Sequence, residues 1–194
     1  MKRHSHASPS SLAESVTRRR VPAKWKIALS AVLFGLSLVF WPVDRLAVRP
    51  FAPDLPLESP VFAAPAPLGQ EFGTGYIHSV QRTPVLDVYR ITGGRIWSWR
   101  EYTQSHNAGL PFQAPASGRF RLQPPWMAVE GGRQAWPRIV LRVGDAELGR
   151  NVFVWERGAD VVRINMYACW PGRRLALGVE RLPLAYALAC RTGM

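Results

Sequence analysis

From Leu68 onward, short apolar runs alternate with turn-forming clusters, and no convincing long helix interrupts them. Eight runs read as strands: Gly75 to Val80, Val85 to Ile91, Arg95 to Tyr102, Trp126 to Glu130, Arg138 to Val143, Asn151 to Trp155, Val161 to Tyr167 and Arg173 to Arg181. The separators "TGG", "GLP", "EGG", "GD", "RGAD" and "WPGR" are rich in the residues that tolerate tight turns. Short strands at this spacing predict an all-β fold, a small antiparallel sandwich or barrel-like domain. "LPLAYALACR", from Leu182, fits either a last strand or a helical turn.

Two hairpins can be given a register. With Gln81 to Pro84 as the first loop, Val80 faces Val85, so His78 lies across from Asp87 and Tyr76 across from Tyr89. With Gly93 and Gly94 as a two-residue turn, Thr92 faces Arg95 and Asp87 meets Arg100. One face then collects Ile77, Leu86, Val88, Trp97 and Trp99 as the expected core. The other collects Tyr76, His78, Asp87, Tyr89, Ser98, Arg100 and Tyr102. A slip of one residue in either hairpin would exchange the faces of a strand, so every assignment depends on the register.

The polar face suggests a shallow ligand-binding site. Arg100 would grip a carboxylate, Asp87 would orient His78, and Tyr76, Tyr89 and Tyr102 would give hydrogen bonds and flat walls. A set of structural links between strands is the plainer alternative. His106, Asn107 and Gly109, in the loop that follows, could border the same patch. Catalysis has little support. His78 and Ser79 are adjacent and point to opposite faces of a strand, and no nucleophile elbow, zinc-helix motif or phosphate loop is present. No metal site and no cofactor are expected.

Upstream of the β region, Ile27 to Val43 is free of charge, flanked by Lys26 and Asp44, with Trp25 and Trp41 at its ends. It reads as a transmembrane anchor over 25–41. Seven basic residues and one acid precede Ile27, which by the positive-inside rule keeps residues 1–24 in the cytoplasm. Seven prolines between Pro42 and Pro67 argue against regular structure, so 42–67 reads as a Pro-rich stalk and 68–194 as an exported β domain. The expected fold is thus all-β behind a single N-terminal transmembrane helix, placed in a bacterial inner membrane with the C-terminal domain in the periplasm. A cleaved signal peptide would export the same domain, but no small-x-small site follows the apolar core closely.

Charge and cysteines refine this picture. The net charge is +12, of which the first 26 residues carry +6, leaving +6 downstream. That excess suits anionic lipid or a small anionic solute. The arginines are scattered, and the expected topology puts them outside the cytoplasm, so no nucleic-acid partner is expected. Cys169 and Cys190 both follow the apolar run and could form a disulfide in an oxidising compartment, with two free thiols as the alternative.

"YIHSVQRTPVLDVY", followed by "IWSWREYTQSHNAGLP", resembles the signature of an uncharacterised bacterial domain-of-unknown-function family, number 1850. The resemblance spans roughly Leu68 to Arg181 and places the family's histidine at His78, its serine at Ser79, its proline at Pro84 and its acidic residue at Asp87. Asn107 stands where the family's loop has its first glycine. Such domains are often encoded with TAXI-class TRAP transporter permeases. The resemblance therefore implies an accessory or solute-binding role beside a TRAP permease or its solute-binding protein. A free-standing structural or sensing envelope domain is the second reading, and an uncharacterised hydrolase the third.

Overall fold

The computed structural model describes residues 22–52, 58–105 and 113–189. The chain divides into two units, Met1–Ser37 and Leu38–Met194. Helix α1 (Ala23–Val39) accounts for most of what is described in the first. The second contains strands β1 (Pro42–Pro50), β2 (Phe62–Pro65), β3 (Gln70–Ile77), β4 (Pro84–Thr92), β5 (Arg95–Thr103) and β6 (Gly118–Gln123). It continues with β7 (Trp126–Gly131), β8 (Ala135–Trp136), β9 (Arg138–Arg142), β10 (Gly149–Arg157), β11 (Asp160–Asn165), helix α2 (Met166–Cys169), β12 (Arg174–Pro183) and helix α3 (Leu184–Ala189). All eight runs read as strands from the sequence overlap strands, but Gly75 to Val80 leaves β3 after Ile77 and Val161 to Tyr167 passes from β11 into α2 at Met166. "LPLAYALACR" is partly both alternatives, strand up to Pro183 and a short helix after it.

The expected membrane anchor is corrected by α1. No helix among the described residues is long and apolar enough to cross a membrane. The apolar run is cut at both ends. Lys24 and Lys26 lie inside the first turns of α1, and Pro42 and Val43 belong to β1. That leaves 13 uncharged helical residues, Ile27 to Val39, which at 1.5 Å each span about 20 Å against a hydrocarbon layer of about 30 Å. The single-pass inner-membrane placement, the lipid-bilayer partnership and the membrane-anchored accessory role beside a TRAP permease lose their basis with it.

The expected stalk over 42–67 is corrected as well. β1 sits between β2 and β12 in a four-stranded sheet ordered β2–β1–β12–β9, and Leu46, Ala47 and Val48 within it are buried. Its two prolines occupy the first and last positions, where a missing N–H costs the sheet little.

The larger sheet runs β11–β10–β3–β4–β5–β7–β6, with β8 pairing to β5. All the paired strands of both sheets are antiparallel. The two sheets share one core. Leu46, Val48, Leu175 and Leu177 of the smaller sheet pack with Phe72, Ile91, Ile96, Phe153 and Trp155 of the larger. The Phe62 ring lies 5.0 Å from that of Phe153 and 5.7 Å from that of Trp155, joining the layers by tilted aromatic contacts. At one end, Asp44 of β1 accepts a 2.9 Å hydrogen bond from the Gly94 N–H and approaches Arg181 at 3.3 Å. One carboxylate thus ties both central strands of the small sheet to the β4–β5 turn.

Candidate functional site

The registers of β3, β4 and β5 decide which side chains meet. The β4–β5 turn forms as expected: Gly93 and Gly94 both have positive φ, 62° and 73°, and Thr92 faces Arg95. The β3–β4 loop does not. β3 ends at Ile77, paired with Pro84, so the connection is the six residues His78 to Thr83. The His78 N–H donates to Thr83 O at 2.9 Å, and its Nδ1 accepts from the N–H groups of Val80 and Gln81 at 3.3 and 3.2 Å. The histidine is a turn organiser, and a longer loop slides β3 by four residues along β4. Asp87 consequently faces Thr74 rather than His78, and Tyr76 faces Val85 rather than Tyr89.

A second departure separates Asp87 from Arg100. The β4–β5 ladder shifts between Val88 and Tyr89: Tyr89 faces Ser98, but Val88 faces Arg100. Trp99 is the extra residue of a bulge, and a bulge moves every later side chain to the opposite face. Asp87 therefore meets Glu101, while Arg100 and Tyr102 point to the other side with Val88 and Leu86. The expected core face is also reversed. Phe72, Val85, Ile91 and Ile96 are buried, whereas Leu86 is 41% exposed.

Behind the sheet, on its core side, Asp87, Glu101, Thr74, Tyr76 and Tyr89 form a polar cluster set into the apolar layer. Burial first, and then the neighbouring Glu101 carboxylate, push the Asp87 carboxyl up to about 7, against hydrogen bonds from Thr74 and Tyr89 that favour its ionised form. Burial also raises Glu101. Burial and the Asp87 charge push the Tyr76 phenol up to about 12 and raise that of Tyr89, whose ring stacks on Phe72 at 5.1 Å. The cluster is protonated or hydrogen-bonded support for the strands, turned away from the outer surface.

The outer face carries a trough of about 950 Å³. Cross-strand pairing lays out its floor in rows. One row runs Arg163, Val154, Gly73, Val88, Arg100 over β11, β10, β3, β4 and β5. The next runs Asn165, Val152, Gly75, Leu86, Tyr102. Two glycines therefore lie at the centre, between pairs of branched apolar side chains, with polar walls at both ends. A Cβ on Gly73 would meet only Asp87 O at 3.6 Å and Val154 Cβ at 3.9 Å, ordinary contacts, so the depression is an open volume rather than a backbone clash avoided. Along one wall Glu71 ion-pairs with Arg90 and lies 3.8 Å from Arg100, which is also 3.9 Å from Glu130. Arg90 in turn covers the Trp99 ring at 3.8 Å.

Of the residues expected to form a site, Tyr76, Asp87 and Tyr89 share the inner face, Arg100 and Tyr102 the outer one, and His78 lies in the turn. His106, Asn107 and Gly109 lie outside the described residues. Cys169 is an exposed free thiol, and Cys190, its expected disulfide partner, lies outside the described residues. Thr74, Glu101, Gly73, Gly75 and Arg163 were missed. "FGTGY" held a usable signal, since glycines at alternate strand positions leave one face bare. No group of three or more metal-binding side chains occurs among the described residues.

Residues 72–158 match the model of a domain of unknown function, DUF1850. The match begins in β3 and ends at Gly158, just past β10, and so contains the centre of the trough and the Asp87 cluster. No curated protein and no solved structure matches the chain.

Proposed function

We propose that the β domain is a free-standing sensing domain that holds a small solute in the trough on the outer face of its larger sheet. The carrying observation is the depression over Gly73 and Gly75, large enough for a drug-sized molecule and lined by apolar floor and polar walls. Arg100 and Tyr102 are its wall. Tyr76, Asp87 and Tyr89 hold the same strands from behind. Chemistry on a bound molecule has no support from this lining, because the histidine is committed to a turn and no nucleophile–base pair faces the trough among the described residues.

The test uses anilinonaphthalene sulfonate, a flat apolar anion that fluoresces when bound. Saturable binding to the full chain is expected, and Gly73→Val, which raises a branched side chain from the floor, should abolish it while leaving the circular dichroism spectrum intact. Unchanged dye binding in a folded Gly73→Val protein would show that the trough is not the site.

A further inference from the structure

We propose that the solute held in the trough is an amphipathic carboxylate, with its hydrocarbon body over the glycine floor and its anionic head at Arg163. This rests on the reading of the trough as a ligand site and adds the class of ligand.

The floor sets the first half of the description. Val88, Val152, Val154 and Leu86 flank the two glycines, and Leu86 is a large apolar side chain left 41% exposed there. Water over such a surface is displaced favourably by hydrocarbon, at roughly 25 cal/mol for each Å² covered. From Arg163 to Arg100 the row crosses five strands, about 19 Å at ~4.8 Å per strand, which gives room for a chain of medium length between walls.

The charges set the second half. Three arginines and three carboxylates line the trough, and one of the carboxylates, Asp87, belongs with Glu101 to the inner face. Glu71 is taken by Arg90 and Arg100, and Arg100 is shared further with Glu130. Arg150 donates through Nε to Ala146 O at 2.7 Å, which leaves its charge unbalanced. Arg163 has no ion pair and no hydrogen bond among the described residues. Its diagonal neighbour on β10 is Glu156, and the two do not pair. Arg150 and Arg163 therefore outnumber Glu156, so the trough favours an anionic head over an ammonium. A planar guanidinium at the edge of an apolar floor matches the two oxygens of a carboxylate.

Displacement of anilinonaphthalene sulfonate from the full chain by decanoate, decanol, decylamine and butyrate, all below their self-association limits, tests the class. Decanoate should bind at least about tenfold more tightly than each of the other three. Arg163→Gln should bring decanoate down to the level of decanol. Gly73→Val should remove decanoate binding, as should Leu86→Glu, which changes only a surface-facing side chain. If decanol or decylamine equals decanoate while Gly73→Val still abolishes binding, the carboxylate assignment is overturned and the trough survives as a site. If decanoate binding ignores Gly73→Val and Leu86→Glu alike, the trough reading falls too. Failure of decanoate to displace the dye also overturns the assignment.

Discussion

Replacing Asp87 with Asn should change how the stability of this protein depends on pH. In the fold, Asp87 is mostly buried opposite Glu101, and its carboxyl is pushed from 3.8 up to about 7. The folded state therefore holds a proton that the unfolded chain has already released between these two values. Stability falls as pH rises through that window, and the loss is complete above about pH 7. At ~1.4 kcal/mol for each tenfold, the full cost of ionising this group inside the sheet is about 4 kcal/mol. Asparagine keeps an oxygen that can accept from Thr74 and Tyr89 but has no charge to form. The two proteins should be within about 1 kcal/mol of each other at pH 4, with the variant about 4 kcal/mol more stable at pH 8. Urea unfolding followed by tryptophan fluorescence would register this as a midpoint gap of about 2 M, taking a slope of ~2 kcal/mol per molar. Glu101, raised by its own burial, adds a slope of its own to both proteins, and only its repulsion of Asp87 belongs to the difference. A gap that stays constant from pH 4 to pH 8 would refute the reasoning, because Asp87 would then ionise as easily inside the fold as outside it.

Two further perturbations test how the sheets are held. Asp44→Ala removes the acceptor for the Gly94 N–H and the partner of Arg181, and should cost about 2 kcal/mol in chemical denaturation, with hydrogen exchange accelerated at the β4–β5 turn. His78→Ala removes the acceptor for two N–H groups and should cost about 1 kcal/mol, whereas His78→Asn, which restores an acceptor, should recover part of it; equal losses in the two variants would mean that the imidazole packs rather than accepts.

The β character of the domain was legible because its turns are written in Gly, Pro and Asp, and the Gly93–Gly94 hairpin could be registered to the residue near its turn. What could not be read was the point at which alternation breaks. Trp99 looks like any other strand residue, yet as the bulge it transfers Arg100 and Tyr102 to the outer face and brings Glu101 to Asp87. His78 looked like a site residue because histidine is rare and polar, when its use is to bind two backbone N–H groups in a loop two residues longer than expected. The prolines around β1 misled for a physical reason as well. Proline forbids the interior of a central strand but not its ends, and Pro42 and Pro50 stand at the two ends of a proline-free run. The inner and outer faces of β4 carry similar amounts of apolar surface, so composition alone could not choose between them.

Pairing of Pro42 with Pro183 places the beginning and the end of the β region side by side in the middle of the smaller sheet. The 72–158 segment, taken alone, contains neither of these strands and would leave Phe153 and Trp155 without the layer that covers them. During synthesis the larger sheet can assemble early, but it must wait as an uncovered apolar slab until Arg174 to Pro183 clears the ribosome. Nascent chains of this protein therefore have their greatest need of a chaperone in the interval between the emergence of β11 and that of β12.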